Sequence, residues 1–233
     1  MATAQPGMSK NQVNKAGKII RRFLRGDLDD VEQFQQAFEK LYAYRAAHQR
    51  PLTKANMGLR SMVRTAGCTD VEVTQRLKRI TTIMNKLIRE PTLALGNMQD
   101  VGGCRAVVGS ISEIRGVQRR AERTKRVLAQ SDYIESPRRT GYRGLHLVVG
   151  YDDRAIEIQL RTRVMHEWAM VSERLGEDVK SGDGPQEVHD LMAIISEAMA
   201  TEECGNVVSH ATLAELKQRQ ELAAPFLSRR RST

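Results

Sequence analysis

The chain has 233 residues, which is enough for one globular domain with helical additions and too few for several catalytic modules. Its 37 basic residues against 28 acidic ones give a formal net charge of +9, which favours a polyanionic partner but equally fits a merely solvated basic surface. Three cysteines without paired spacing argue against a disulfide framework or a zinc knuckle, and the lack of a signal peptide or an apolar membrane span predicts a cytoplasmic protein.

The first third of the sequence predicts only helices. Apolar residues recur at helical spacing within a stretch that has no acid between residues 10 and 25, which indicates a cationic amphipathic helix. Asp29 is expected to cap a second helix, and a third is expected from Lys54 to Thr65. We therefore interpret residues 1–69 as a basic helical N-terminal extension. Its candidate RNA-binding residues are Lys15, Lys18, Arg21, Arg22 and Arg25.

A long helix is predicted from Asp70 to about Arg89, because apolar residues recur there every three to four positions. Lys78, Thr82 and Lys86 are spaced by four residues and would share one face of that helix. Arg76 would flank the same side. Cations and a hydroxyl in one region suit the phosphates of a nucleotide, although the solvated face of an ordinary amphipathic helix would show the same spacing.

The rest of the chain predicts strands followed by helices. The predicted strands run from Val101 to Val108, from Leu145 to Val149 and from Ala155 to Leu160, and the last two form an antiparallel hairpin. The predicted helices run from Ile111 to Ala129, from about Arg163 to Leu175, near 186 to 200 and near 211 to 222. Residues 70–180 are accordingly interpreted as the main domain, and residues 181–233 as C-terminal helices with a basic tail.

Two carboxylates stand at predicted strands. Asp100 lies at the entrance to the first strand, followed by two glycines and Arg105. Glu157 shares a strand face with Gln159 and Arg161, because alternate residues of a strand point the same way. Proteins usually bind Mg²⁺ through one or two carboxylates plus substrate phosphates. Taken singly, Asp100 is as readily explained as a turn cap and Glu157 as a surface strand residue.

Five motifs in this region, taken in order, resemble the RelA/SpoT-type nucleotide pyrophosphokinase (alarmone synthetase) family. They are Arg76-x-Lys78-x-x-x-Thr82-x-x-x-Lys86, Asp100-x-x-Gly103-x-Arg105, Asp132-Tyr133-Ile134, Gly141-Tyr142-Arg143-x-Leu145-His146 and Glu157-x-Gln159-x-Arg161-Thr162. The resemblance implies an α/β (α+β) fold, a nucleotidyltransferase-like mixed β-sheet flanked by helices, with helical N- and C-terminal extensions. It also implies Mg²⁺-dependent transfer of pyrophosphate from an ATP donor to a ribose 3′-hydroxyl.

The resemblance further implies a role for each motif residue. Asp100 and Glu157 would bind Mg²⁺, and Glu157 would also accept the proton of the 3′-hydroxyl. The residues that would hold ATP are Arg76, Lys78, Thr82, Lys86 and Arg105. The residues that would line the acceptor side are Tyr142, His146, Gln159, Arg161 and His166, with Tyr142 stacked on the acceptor base. The lack of a nucleophile motif agrees with this chemistry, which needs charge neutralisation and positioning.

The loop around Tyr142, on the predicted acceptor side, departs from the family pattern, which usually reads Asn-Gly-Tyr-x-Ser. Thr140 and Gly144 replace its polar residues and weaken the expected recognition of guanine. This loop and the segment 165–169 are more similar to the toxic small synthetases, some of which pyrophosphorylate the 3′ end of tRNA and are paired with an antitoxin. The leading prediction is therefore a translation-blocking toxin that modifies tRNA and has an antitoxin partner.

Two other functions stay open at this point. One is a small alarmone synthetase that makes ppGpp or pppGpp from GDP or GTP. The other is a catalytically silent RNA-binding module that keeps the family fold. The sequence assigns no role to the helices after residue 185, which could pack, form an oligomer interface or contact an antitoxin.

Overall fold

The computed structural model describes residues 8–124, 126–176, 178–179 and 182–230, without the side chains of Arg229 and Arg230, so the predicted basic tail lies largely outside the described residues. Three helices come first: α1 (Lys10–Leu24), α2 (Val31–Ala46) and α3 (Gln49–Thr65). The central elements are β1 (Glu72–Leu77), α4 (Ile80–Arg89), a 3₁₀ turn (Leu95–Asn97), β2 (Gly102–Val108), α5 (Ile111–Arg123), β3 (Val127–Asp132), β4 (Leu145–Tyr151) and β5 (Arg154–Thr162). The last helices are α6 (Arg163–Leu175), α7 (Gln186–Glu203) and α8 (His210–Arg230).

The strands form one mixed five-stranded sheet in the order β1-β2-β5-β4-β3. Strands β2 and β5 are parallel, and the other neighbours are antiparallel. The predicted hairpin is confirmed: β4 and β5 are joined by Asp152 and Asp153, whose φ angles of 46° and 59° match a two-residue turn that follows the twist of the strands. The mixed sheet with flanking helices confirms the predicted fold class.

One face of the sheet is the main hydrophobic core. Ile156, Ile158 and Leu160 of β5 point into it, and helices α3 and α5 cover it with residues such as Leu59 and Ile114. All five side chains are at most 1% exposed. Helix α3 therefore packs as part of the sheet layer, although its sequence falls in the predicted N-terminal extension. The opposite face of the sheet is left for polar side chains.

The predicted long helix from Asp70 is wrong in its first half, where residues 72–77 form the edge strand β1. Val73 and Leu77 are four residues apart, a spacing that lies on one face of a helix and also on one face of a strand. The structure resolves this ambiguity through pairing with β2, which directs Val73 and Leu77 to the core. A local pattern could not reveal that distant partner.

The predicted helix from Ile111 to Ala129 is also too long. Helix α5 ends at Arg123, and residues from Val127 onward pair with β4 as strand β3. Smaller differences affect the first helices, since Asp30 rather than Asp29 caps α2, and α3 begins at Gln49 rather than Lys54. In each case the composition is compatible with both assignments, and long-range pairing or packing decides.

Two further hydrophobic clusters lie beside the sheet. The first joins α1, α2 and α4 around Ile20, Leu41 and Ile83, and it includes Val101 next to Asp100. The second joins α6, α7 and α8 around Trp168 and Met192. The polar face of the sheet thus has a helical support near Asp100 and another near the Tyr142 loop. Within the described residues, no helix has the length and apolar character needed to cross a membrane.

Candidate active site

The polar face of the sheet collects most of the residues that the motifs singled out. Residues paired across neighbouring strands point to the same face. Arg76 of β1 pairs with Gly103 of β2, which in turn pairs with Glu157 of β5. In the next row Arg105 pairs with Gln159, which pairs with His146 of β4. These four strands therefore place acidic, basic and amide side chains side by side.

Asp100 is held by two lysines at one end of this face. Its Oδ2 atom lies 2.9 Å from Lys78 Nζ and 3.0 Å from Lys86 Nζ. Lys86 comes from α4, whereas Lys78 follows strand β1. The backbone N–H of Lys78 donates to the carbonyl of Val101 at 2.8 Å. The lysines meet although they do not share one helix, because the turn between β1 and α4 brings them together.

The environment of Asp100 keeps its carboxylate ionised. Burial acts to raise the pKa of Asp100, but the charges and hydrogen bonds of Lys78 and Lys86 outweigh it, so the pKa lies below its ordinary value. The second oxygen, Oδ1, is buried and has no hydrogen-bond partner among the described residues. A buried carboxylate oxygen without a partner is costly, and a bound cation would satisfy it.

Glu157 belongs to a closed ring of hydrogen bonds, here called the carboxylate ring. Its Oε1 atom contacts His146 Nδ1 at 2.9 Å, and its Oε2 atom accepts from Gln159 Nε2 at 2.7 Å. Arg161 donates to Gln159 Oε1 at 3.1 Å and to the Tyr142 hydroxyl at 3.0 Å. The Tyr142 hydroxyl completes the ring by its hydrogen bond with His146 Nε2. The ring fixes both oxygens of Glu157.

The carboxylate ring also sets the charge state of Glu157. Burial acts to raise the pKa of Glu157, whereas its contacts with His146 and Gln159 lower it, and the result lies below the ordinary value. Asp100 acts in the opposite direction and raises the pKa of Glu157. The two carboxylates are thus close enough to influence each other, and both are ionised at neutral pH.

Asp100 and Glu157 fit a divalent cation in number and type. No group of three or more histidine, cysteine or acidic side chains in the described part of the chain could hold a metal ion by itself. Two carboxylates that leave the remaining positions to substrate oxygens match the usual coordination of Mg²⁺. That Asp100 Oδ1 is buried without a partner makes Asp100 the better defined of the two donors.

Three arginines, Arg76, Arg105 and Arg161, have their guanidinium groups around the middle of the polar face. The pKa of Arg105 is lowered by burial and by the charges of Arg161 and Arg76, against a raising effect of Glu173. The Nε atom of Arg105 is buried without a hydrogen-bond partner among the described residues. Crowded arginines with unused donors are suited to an anion, which would relieve their mutual repulsion.

Two further predicted residues border these arginines. His166 of α6 has its pKa lowered by burial and by the charges of Arg105 and Arg161, and its Nδ1 is buried without a hydrogen-bond partner among the described residues. Thr82 lies one turn before Lys86 on α4 and is half-buried. The charge of Arg161 therefore acts on Arg105, predicted for the donor, as well as on His166, predicted for the acceptor.

The acceptor side contains an aromatic cluster that the sequence only partly predicted. The ring of Tyr142 lies edge-on to Tyr133, with centroids 5.7 Å apart, and to Trp168, with centroids 6.3 Å apart. The guanidinium of Arg138 lies 4.4 Å from the centre of the Tyr133 ring. Tyr133 lies in the motif Asp132-Tyr133-Ile134, for which the resemblance implied no role, and Arg138 lies outside the five motifs. Only the course of the loop that connects Tyr133 and Arg138 to Tyr142 could have indicated that these side chains lie close together.

The candidate RNA-binding residues of α1 divide into two groups. Arg21 and Arg25 donate hydrogen bonds to the carbonyls of Leu87 at 2.6 Å and Ile88 at 2.7 Å, the last turn of α4. They therefore cap a helix end, where cations are favourable. Lys15, Lys18 and Arg22 are exposed, and Arg22 donates to the carbonyl of Asp27 at 3.1 Å. The freely presented charge on α1 is smaller than the sequence alone indicated.

Comparison with known proteins identifies the class of domain that this fold and site define. Residues 75–176 match the model of the region found in RelA / SpoT proteins. This part of the chain is similar to the RelA / SpoT region, which confirms the resemblance carried by the five motifs.

Particular relatives come from Bacillus subtilis (strain 168). GTP pyrophosphokinase YjbM is 33% identical over 138 residues, which are 54% of this chain and 65% of that protein. GTP pyrophosphokinase YwaC is 31% identical over 115 residues, which are 43% of this chain and 55% of that protein. The chain thus spans less than two thirds of the length of both relatives. The crystal structure of Bacillus subtilis small alarmone synthetase 1 bound to its product pppGpp superposes with a TM-score of 0.59 at 27% identity, covering 68% of this chain and 90% of that chain.

Proposed function

We propose that this protein is a Mg²⁺-dependent pyrophosphokinase that transfers the β,γ-pyrophosphoryl unit of ATP to a ribose 3′-hydroxyl. The observation that carries the proposal is that Asp100, just before β2 and bound by two lysines, and Glu157, paired with Gly103 of β2, stand beside several arginines at the polar face of the sheet. Such transfer depends on neutralising phosphate charge and aligning the reacting atoms, which are the properties that this face supplies.

The donor would lie against the cations at the Asp100 end. Lys86 and Lys78 hold their ammonium groups at one point through Asp100, and Arg76 and Arg105 extend the positive surface across β1 and β2. Thr82 adds a hydroxyl from α4. A row of cations of this length suits a triphosphate better than a single phosphate, because each phosphoryl group meets its own partner.

Asp100 and Glu157 would hold Mg²⁺, whose role when bound is to neutralise charge on the transferred phosphates. The two lysines keep Oδ2 of Asp100 in place and leave Oδ1 for the cation. The carboxylate ring keeps Glu157 ionised and oriented.

The chain's own residues would then manage the acceptor and its proton. The 3′-oxygen forms a bond to the β-phosphorus of ATP, the bond from that phosphorus to the α-phosphate oxygen breaks, and AMP leaves. The hydroxyl proton passes to the Glu157 carboxylate, which His146 orients through its hydrogen bond. Tyr142, Arg161 and His166 would position the acceptor nucleoside from the other side.

For the acceptor we propose the 3′ end of tRNA, which would make the protein a translation-blocking toxin held in check by an antitoxin. Arg138 and Arg139 are exposed next to the loop that carries Tyr142, and Lys15 and Lys18 are exposed on α1. Together with the net charge of +9, these residues favour a polyanion larger than a nucleotide. The similarity of the acceptor loop to toxic small synthetases supports the same choice.

A free guanosine nucleotide is the second candidate acceptor. Its support is specific: the two Bacillus relatives are GTP pyrophosphokinases, and the small alarmone synthetase with the same fold was crystallised with pppGpp. The protein would then be a small alarmone synthetase making ppGpp or pppGpp.

One experiment separates these functions. The full chain is incubated with Mg²⁺ and ATP labelled on the γ-phosphate, together with tRNA, GDP or GTP in parallel, and the products are resolved by electrophoresis and chromatography. Label on tRNA supports the toxin, and label only in the nucleotides removes it. Salt-sensitive tRNA binding without label in any acceptor would indicate the silent RNA-binding module instead. An EDTA control should abolish every transfer if the divalent cation is required.

A further inference from the structure

Helix α7 lies beyond the part of the chain that matches the family model, yet it touches the loop of residues 138–144, here called the acceptor loop. The contact is made by Glu203, the last residue of α7. Its Oε2 atom lies 3.1 Å from Arg143 Nη1, and the two side chains are only 11% and 10% exposed. Its other oxygen, Oε1, accepts a hydrogen bond from the hydroxyl of Thr162.

One carboxylate therefore joins two segments that both belong to the carboxylate ring. Arg143 directly follows Tyr142, and Thr162 directly follows Arg161. Tyr142 and Arg161 are themselves hydrogen-bonded at 3.0 Å, so any shift of one segment against the other would strain that bond. Glu203 binds the side chains of the residues that directly follow Tyr142 and Arg161, and so links the two segments that carry this bond.

The acceptor loop is also seated on α7 by close backbone contact. Gly141 has a φ of +86°, and a side-chain carbon at this position would lie 2.8 Å from both the Met192 carbonyl oxygen and the Ala193 Cα atom. The indole N–H of Trp168 donates to the same Met192 carbonyl at 2.8 Å. The loop thus rests on the middle of α7 through Gly141 and on its end through Glu203.

A buried ion pair of this kind is poorly explained by stability alone. Removing two charges from water costs much of what their attraction returns, and apolar residues of similar size often stabilise a fold equally well. What a buried pair does provide is a defined geometry. Here that geometry concerns Arg143 and Thr162, which flank the predicted acceptor residues Tyr142 and Arg161.

We propose that Glu203 is a positioning residue for the acceptor nucleoside, acting through Arg143 and Thr162. This inference rests on the proposed function, because it assigns the Tyr142 side of the site to the acceptor. It gives the C-terminal helices a role inside the reaction: α7 braces the acceptor loop while the donor end relies on its own charges. The chemical class of the positioned ligand is a nucleoside with a free 3′-hydroxyl.

The test compares Glu203→Gln and Glu203→Ala with Glu202→Gln, an exposed neighbour on the same helix turn. Initial rates of label transfer are measured against the concentration of ATP and, separately, of whichever of tRNA, GDP and GTP the native chain labels. We expect Glu203→Ala to raise the KM for the acceptor by about tenfold or more, because small displacements at a distance are amplified at the reacting atoms. The KM for ATP should change by less than about twofold, a shift that falls well below the 1.4 kcal/mol of a tenfold effect.

Glu203→Gln should recover part of the loss, because the amide still accepts from Thr162 although the charge is gone. Equal changes in the KM values for ATP and acceptor would overturn the inference, as would Glu203 variants that behave like Glu202→Gln. A native chain that labels no acceptor would refute the proposed function instead. In that case hydrogen exchange of the acceptor loop decides: faster exchange in Glu203→Ala than in Glu202→Gln supports the brace, and equal exchange contradicts it.

Discussion

The polar face of the sheet has two ends, one at Asp100 and one at Tyr142, and their polar groups are arranged differently. At the Asp100 end, charged groups are gathered without being fully satisfied, since Asp100 Oδ1 and Arg105 Nε are buried without partners among the described residues. At the Tyr142 end, the carboxylate ring pairs its polar groups with one another, and α7 supports it from behind, so that among the predicted acceptor residues only His166, whose Nδ1 is buried, has a buried side-chain atom without a partner among the described residues. The comparison indicates that the donor end is completed by its ligands, whereas the acceptor end is organised before a ligand arrives.

The largest effect should come from Glu157, which belongs to both ends. Glu157→Gln keeps the size of the side chain and removes its charge, so it should lower the rate of label transfer by about a thousandfold or more. The measurement is the initial rate at saturating ATP and acceptor.

The thermal unfolding midpoint should stay close to that of the native chain, and Glu39→Gln on the exposed face of α2 serves as the matched control. A Glu157→Gln protein that is folded and retains near-normal turnover would show that the active centre lies elsewhere.

A smaller effect, confined to the donor, is expected from Lys86→Met. Charge-assisted contacts to a buried or half-buried group contribute about 1.5–3 kcal/mol, so the KM for ATP should rise roughly tenfold to a hundredfold. The KM for the acceptor should be nearly unchanged.

Lys54→Met is the natural comparison for this variant, because Lys54 also contacts an aspartate, Asp152, at 2.6 Å but with both side chains 41% exposed. Exposed ion pairs contribute little free energy, so Lys54→Met should leave the KM for ATP and the KM for the acceptor unchanged. If Lys86→Met raises the KM for the acceptor as much as the KM for ATP, the assignment of donor and acceptor to separate ends of the site is wrong.

The donor end was more predictable from sequence than the acceptor end. The spacing of Lys78 and Lys86 indicated a phosphate site, and both lysines do meet at Asp100, although Lys78 lies after a strand rather than in a helix. The two lysines lie close together although the predicted helix is wrong, because a short turn between β1 and α4 keeps residues that are near in sequence near in space. Asp100 immediately precedes β2, and Glu157 lies in the neighbouring parallel strand β5, a pairing between distant segments that the sequence does not reveal.

The acceptor end depends on contacts between residues far apart in the chain. Tyr142 and Arg161 are separated by 19 positions, and Arg143 and Glu203 by 60. No local pattern announces such pairs, and a buried glutamate at the end of a helix looks in sequence like any solvated acid. Gly144 shows the same limit: a side chain there would lie 3.1 Å from the Tyr142 hydroxyl, so packing explains a residue whose sequence context pointed only to weaker base recognition.

The pH dependence of stability should also distinguish the donor end. The pKa of Asp100 is lowered in the folded protein, so its ionised form contributes stability that is present above the unfolded-state pKa and lost as the pH falls through the folded pKa. The unfolding free energy of the native chain should therefore drop as the pH falls below about 4, the ordinary aspartate pKa, and continue to drop until the lowered folded pKa is passed.

Asp100→Asn should flatten part of that slope, and Asp29→Asn, which changes an exposed acid near α2, provides the control. Chemical denaturation at a series of pH values measures the effect. A slope in Asp100→Asn that matches the native chain would mean that Asp100 is not the ionised partner of the lysines.

The smallest effect is expected at α1, where it sharpens the question of RNA. Replacing Lys15 and Lys18 with serine removes two exposed cations, so tRNA binding should weaken only several-fold at moderate salt. The slope of log affinity against log salt should become shallower by about one to two. Arg21→Met should instead lower the unfolding free energy by about 1 kcal/mol or more, because the hydrogen bonds from Arg21 to the carbonyls of Leu87, Glu90 and Leu93 are lost. If the lysine variant leaves both affinity and salt slope unchanged while Arg21→Met alters them, α1 supports the donor end structurally and contributes no RNA surface.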